Sequence, residues 1–533
     1  IGSKDGKPTG LVKGVVGALD GKALEAAIDL FEVPDSERVR QLQGLLPLRL
    51  AGRVALAQRT AKAVDFKADG TAMHGRLTVR ANIDDGLGND WRAGPTEFTL
   101  SGDELATARL MALVFARQSG RDADDARDAM RANVAVKAVG VPAEGLVTDA
   151  AMSREGLSLS YNGRMVIGAD TVPKLSGTAE VAADRLGDVL ALVGIPSNLG
   201  GSSPVTGTLG LSFEDDGRTK LTPGGLTVAG SEVSGTLRIA RENGTRLNVD
   251  GEIVIDQATV AGLLGGIVQS VPRPVPVSAA DLAIEERQGP WTDQAFSEAG
   301  FDRFEGKVTL VLKRLGLAPG LGATSARLGL TFAPGQVDAS LIEARMLGGK
   351  LRGSVVISKA AAGAGVKGEL EVAGAQLSAI ARAAASSIEA GGTAAASIAF
   401  SGQALSPRSL ISALRGSGRV NFAEAWVGGL SPEIVAEIIT RAFAKEIETD
   451  GPTLEAEIVN RVKTGRLDLG NRAVPVEIGD GVLRLAKFDT QSEAGQVETL
   501  VTVDLANFQS ETEWRLTAGS HSPKRPAWPA VSI

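Results

Sequence analysis

Residues 348–357 read GGKLRGSVVI. Leu351, Gly353, Val355 and Ile357 fall on one parity, and Arg352 and Ser354 on the other. An apolar residue at every second position is the mark of a strand with one wet face and one buried face. The phrase returns as GTAMHGRLTV from Gly70, as GSEVSGTLRI from Gly230, and in worn form as AGQVETLVTV from Ala494. Met73, Gly75, Leu77 and Val79 share a parity, as do Val233, Gly235, Leu237 and Ile239, and Val497, Thr499, Val501 and Val503. The first glycine predicts two-residue hairpin turns at Asp69-Gly70 and Gly348-Gly349, where positive φ is required. The second lies on the apolar face and predicts a bulge, a bend or a close approach to the backbone.

The same alternation runs through the rest of the chain. In RLNVDGEIVID, Leu247, Val249, Gly251, Ile253 and Ile255 oppose Arg246, Asn248, Asp250, Glu252 and Asp256. KVTLVLK sets Val308, Leu310 and Leu312 against Thr309, and VKGELEV sets Val366, Leu370 and Val372 against Lys367, Glu369 and Glu371. TLEAEI (Thr453–Ile458) reads the same way. Short helices are predicted over Leu24–Pro34, Leu186–Pro196, Gly102–Gly120 and Ser431–Glu448. The last carries Ile434, Ile438, Ile439 and Phe443 as a stripe, with Pro432 at its first position. Packing onto the sheet is the expected role of these helices. AAAGAG (Ala360–Gly365) and AGGTAAAS (Ala390–Ser397) read as turns. The expected fold is mainly β with short α-helices: an elongated, curled antiparallel sheet, groove-like, built from irregular hairpin repeats. Region 1–269 is an N-terminal β-rich repeat region, 270–289 a proline-rich linker that includes PRPVP, and 290–533 a second β-rich region.

Composition narrows the function. The chain has 533 residues, 56 Lys+Arg, 63 Asp+Glu and a net charge of -7, which argues against a nucleic-acid binder with a concentrated basic face. It contains no cysteine and only His74 and His521, so thiolate chemistry is excluded and histidine-based sites are almost so. Aromatics make up 4% of the residues, which leaves Val, Leu, Ile and Ala as the apolar matter. The most apolar window, from Val260, is too short and glycine-rich to span a bilayer. The chain begins at Ile1, which suggests a fragment of something longer.

Motifs with chemistry fail on inspection. GFDRFEGKV (Gly300–Val308) has five residues between its glycines where a phosphate loop has four, and Val308 where a hydroxyl belongs. GLGATS at Gly320 lacks the third glycine of a dinucleotide fingerprint. His74 reads as a solvated histidine on the polar face of a strand, and Trp291 as a packing anchor. No catalytic residue, metal ligand or cofactor site is expected, and the chain is read as non-enzymatic.

The second region resembles the C-terminal region of the AsmA-like family of bacterial envelope proteins. The resemblance rests on WTDQAFSEAGFDRFEGKVTLVLKRLGLAPG (Trp291–Gly320), ARLGLTFAPGQVDASLIEARMLGGKLRGSVVI (Ala326–Ile357), SALRGSGRVNFAEAWVGGLSPEIV (Ser412–Val435) and FDTQSEAGQVETLVTVDL (Phe488–Leu505). It implies a periplasmic protein tethered to the inner membrane by a segment outside this chain, whose apolar groove conducts lipid towards the outer membrane. Implied partners are a phospholipid or other acyl-chain lipid, the membrane, and other envelope proteins. On this reading Met73, Leu77, Val79, Val233, Leu237, Ile239, Leu247, Val249, Ile253, Ile255, Val308, Leu310, Leu312, Leu351, Val355, Ile357, Leu370 and Val372 are the lipid-facing candidates. The alternative is a structural or assembly module that binds envelope proteins by sheet-edge pairing. Irregular spacing of the phrase speaks against a β-solenoid adhesin.

Overall fold

The computed structural model describes residues 2–19, 46–106, 131–192, 203–263, 291–446 and 465–518, with 452, 456 and 531–532, apart from short gaps inside these ranges. The chain is mainly strand with a few short helices, and its strands form antiparallel sheet. It forms two compact units, Ile1–Gly251 and Glu252–Ile533. The division falls within the strand Arg246–Thr259. The proline-rich stretch 270–289 lies outside the described residues.

In the first unit every strand from Leu11–Ala18 to Ser231–Glu242 pairs antiparallel with the next in chain order. The second unit repeats this rule from Phe304–Ala318 to Gln509–Ala518. Register then decides which side chains share a face. In the second unit one row runs Leu310, Leu328, Leu341, Gly353, Leu370, Ile398, Gly418, Val476, Leu485 and Val501, strand by strand. The neighbouring positions place Arg352 opposite Glu371 and Ser397 opposite Arg419 on the other face. Cross-strand pairing of unlike charges suits a face turned to water.

The phrase that opens GGKLRGSVVI is a hairpin, shifted by one residue from its expected place. Leu347 and Gly348, with φ of 53° and 80°, form the turn, and Gly349 already pairs with Met346. The first copy departs further: Gly70 lies inside the strand Val64–Ala72, and Met73 and His74 turn the chain at φ of 52° and 65°. His74 is therefore an exposed turn residue, not a residue on a strand face. The turn needs two positive φ values, and the buried Met73 side chain compensates for a turn with no glycine.

The second glycine answers to close approach. A Cβ on Gly353 would lie 2.5 Å from the Glu369 carbonyl oxygen and 2.6 Å from Leu370 Cδ2. Gly75 faces a bulge in the neighbouring strand, where Glu104 takes φ 55° and the pairing shifts between Gly102 and Leu105.

That bulge also overturns a helix. Gly102–Ala106 ends the strand Thr96–Ala106, and Leu105 is fully buried on the apolar face, its parity restored by the extra residue. The remainder of the expected helix, 107–120, and all of Leu24–Pro34 lie outside the described residues. AGGTAAAS is strand rather than turn, part of Ala390–Ala404, where small residues leave room for the Trp426 ring beside Gly391. Within TLEAEI, Ala456 is helical, and so is Pro452 just ahead of it, in keeping with the strong helix preference of Leu, Glu and Ala.

Helices form at Leu186–Leu192, Leu377–Ala383, Pro407–Ser412 and Pro432–Phe443. In the first, Asp188 is buried and meets Arg154 Nη2 at 2.5 Å, which ties the helix to its sheet. In the last, Ile438 is buried but Phe443, expected on the same stripe, is exposed at the final turn. The side chains of Ile434 and Ile439 lie outside the described residues.

Gly353→Ala should lower the stability of the second unit by about 1–3 kcal/mol, the usual cost of overpacking. Gly322→Ala, whose nearest neighbour is at 3.4 Å, should be neutral or slightly stabilising. Urea unfolding of the two variants checks this, and equal midpoints would remove close approach as the reason for Gly353.

Candidate functional site

The feature that needs explaining is the apolar face of each sheet. In the first unit a row runs Leu50, Gly70, Leu77, Gly102, Val134, Met152, Leu159 and Val181. A parallel row runs Val79, Leu100, Val136, Ala150, Tyr161, Ala179 and Leu209. Tyr161 is the only tyrosine in the chain. Its hydroxyl donates to the Ser176 carbonyl at 3.0 Å and the Arg164 carbonyl at 3.1 Å. Burial pushes the phenol above its ordinary 10, so this face carries a neutral hydroxyl there.

The lipid-facing candidates divide by burial. Met73, Leu77, Val249, Val308, Leu310, Leu312, Leu351 and Ile357 are buried. Val79, Val233, Leu237, Ile239, Leu247, Ile253, Ile255, Val355 and Val372 are half-buried, and Leu370 is exposed. The most buried sit in protein cores near one end of the strands. Met73 and Leu77 pack with Leu46, Leu48 and Leu105, while Leu312 and Leu351 pack with Leu315, Ala344 and Met346. The middle of the face stays partly open. Leu341, Val355, Leu370 and Ile398 retain exposure there, with no second layer over them among the described residues. Leu328, Leu341, Ile398, Val476 and Leu485 belong to the same wall and escape the alternation reading of single phrases. Register, which only the fold supplies, puts them in line.

Hairpins alternate between the two ends of the second unit's strands. One end carries the helices Leu377–Ala383 and Pro432–Phe443, where Leu377, Leu467, Leu469 and Val497 form a core. At the other end Trp291 is buried, donates from Nε1 to the Leu505 carbonyl at 3.1 Å, and packs on Phe508. The Trp291 carbonyl accepts from Arg408. Phe296 N–H donates to the Leu405 carbonyl, its ring lies against Ile357 and Ala364, and Asp302 meets Lys359 at 3.6 Å. These residues lie across successive hairpin ends and close that rim of the face. Trp291 is thus a packing anchor, as expected.

Reactive chemistry is thin. Among the described residues no group of three or more His, Asp or Glu is placed to hold a metal ion, and no helix is long and apolar enough to cross a membrane. Acidic groups with lowered pKa sit in polar surroundings: Asp69 through its hydrogen bond from Lys67, and Asp90 through its hydrogen bonds from Arg92. Lys67 and Asp69 lie two apart on one strand, at 2.9 Å.

Trp291→Ala should release the rim, with about 3–5 kcal/mol lost if the whole unit senses the cavity. Trp291→Phe keeps a ring, loses the bond to Leu505 and should cost about 1 kcal/mol of hydrogen bonding. Amide exchange at Phe296 reads the release directly; unchanged protection in Trp291→Ala would detach the rim from this anchor.

No family model matches the chain, and neither does any curated protein or solved structure.

Proposed function

We propose that this chain is a non-enzymatic, lipid-conducting β-groove protein of the bacterial envelope. It acts in the periplasm, is tethered to the inner membrane through segments outside this sequence, and contributes to phospholipid transport and outer-membrane homeostasis. The observation that carries this reading is the apolar face that runs in register across consecutive strands and stays half-exposed in mid-strand. The resemblance of the second region to AsmA-like proteins supports the envelope setting. A large aliphatic side chain gains about 1.5–3 kcal/mol on full burial, so a half-buried one leaves only part of that to an acyl chain. Leu370 is 37% exposed, which leaves about 0.5–1 kcal/mol on the same scale. Many weak, similar contacts hold a chain without trapping it. The aliphatic wall, interrupted by Gly353, Gly368, Gly416 and Gly418, suits sliding better than a pocket with fixed polar groups does.

A second reading, assembly by sheet-edge pairing, draws on the strand Leu11–Ala18, where Leu11, Val12 and Val15 are exposed. Exposed aliphatic side chains of this kind offer another envelope protein an apolar surface.

Photoreactive benzoylphenylalanine at Leu341 or Leu370 should capture phospholipid from cell envelopes, while the same residue at Ser340 or Glu369 should not. Mass spectrometry of the adducts identifies the lipid. Equal capture from both faces would sink conduction, and protein adducts without lipid would favour assembly.

A further inference from the structure

The rim of the first unit opposite the Met73-His74 turn holds a recess of about 490 Å³. Ile83, Trp91, Phe98, Leu146, Met165 and Ile167 are among its walls. Register explains why they meet: Ile83, Thr96, Gly140, Leu146 and Met165 form the last row of the apolar face, strand by strand. Trp91 comes from outside the sheet, on the short 3-10 turn Trp91–Ala93. Arg92 fixes that turn. Its guanidinium donates to both Asp90 carboxylate oxygens, at 2.7 and 2.9 Å, and to the Gly168 carbonyl at 2.7 Å. The Arg92 carbonyl in turn accepts from Ala143 N–H. The indole is therefore held over the mouth by hydrogen bonds to two neighbouring segments.

We infer that this recess is a binding site for one alkyl chain of an amphiphile, entered from the rim, with the head group left in water. Volume and lining match a small-ligand site, for which about 300–1,000 Å³ is usual. None of the lining residues is charged, and Thr96 Oγ1 is already spent on the Gly94 carbonyl at 3.2 Å. Nothing in the recess answers a head group, so the tail alone is recognised. Trp91, which lines the recess and is 40% exposed, puts apolar surface at the opening, where an incoming tail leaves water. The recess continues the apolar face, but its occupancy does not depend on conduction along that face.

The test uses the whole chain and two probes below their micelle concentrations, 16-doxylstearate and a lysophosphatidylcholine with the same labelled tail. Both should quench a component of tryptophan fluorescence that Trp91→Phe removes. Met165→Glu should weaken both at least tenfold, and Ala81→Met, which fills the recess without charge, should weaken them as well if Met165→Glu fails to fold. Glu369→Ala, in the other unit, should change nothing. A Trp91 component that neither probe quenches, or that stays fully quenched in either folded recess variant, would overturn the site. So would quenching by only one probe, which would mean head-group recognition. Benzoylphenylalanine capture at Leu341 and Leu370 is untouched by these recess variants, so the recess and the conducting face can fail separately.

Discussion

A sheet that turns one apolar face inward without a second layer can shelter it only by bending towards it. Among the described residues the apolar face carries no second layer in mid-strand, and that constraint governs the rest of their structure. Bending shortens the inner surface, so backbone groups and side chains on that face crowd one another. Gly353 lies in register between Leu341 and Leu370, with no room for a Cβ beside the Glu369 carbonyl. Gly368 similarly lies under the Phe400 ring, whose Cζ would be 2.7 Å from a Cβ there. Large residues on one strand are thus seated over glycine on the next. Bulges supply the remaining bend: the pairing shifts between Leu341 and Ala344, between Val372 and Ala375, and between Phe422 and Ala425. Each shift adds local twist.

The sequence was legible where the physics is local. Side chains alternate across a strand whatever its partners, so the faces of KVTLVLK, GGKLRGSVVI and RLNVDGEIVID could be assigned from spacing. Turn phase was not legible in the same way. Met73-His74 turns with positive φ at two non-glycine residues, and only the burial of Met73 among Leu46, Leu48 and Leu105 makes that tolerable. Glycine and alanine misled in Ala390–Ser397 because their smallness serves Trp426 on the adjacent strand, a fact absent from the local phrase. Leu105 falls in the stretch Gly102–Gly120 expected to be helical, yet its partner is Ala132 across the sheet. The wall itself, from Leu310 to Val501, is a property of register, and register depends on loop lengths that no single phrase contains.

Polar residues settle the question of which face meets water. Arg327 reaches Glu252 at 2.7 Å and Lys313 reaches Asp256 at 2.6 Å, both from the solvent side. Exposed pairs of this kind contribute little, typically 0–1 kcal/mol. Their value here is orientation: a strand slipped by one residue would carry these charges to the apolar face. The pairs also report direction. Asp256 with Lys313 and Thr259 with Gly316 advance together along the chain, so Glu252–Thr259 and Phe304–Ala318 run the same way. Strands that run the same way cannot be joined by a hairpin, and the stretch 260–303 is long enough to carry the chain back.

The ends of the strands pose a different problem from the middle. There the sheet stops, backbone groups lose partners, and the apolar face would open to water at its rims. One rim of the second unit is filled by helices and the other by Trp291, whose indole satisfies a turn carbonyl while its ring covers Phe508. In the first unit Trp91 occupies a rim too, but its support differs. It is held from behind by Arg92 and Asp90, and its ring borders space where Trp291 borders protein. An indole with its N–H bonded to the Leu505 carbonyl and its ring buried is a closure. One fixed through its neighbour, with 40% of its surface free, is the wall of an opening. The two tryptophans therefore separate the rims by chemistry: one is sealed by the protein's own residues, the other left available to an apolar tail.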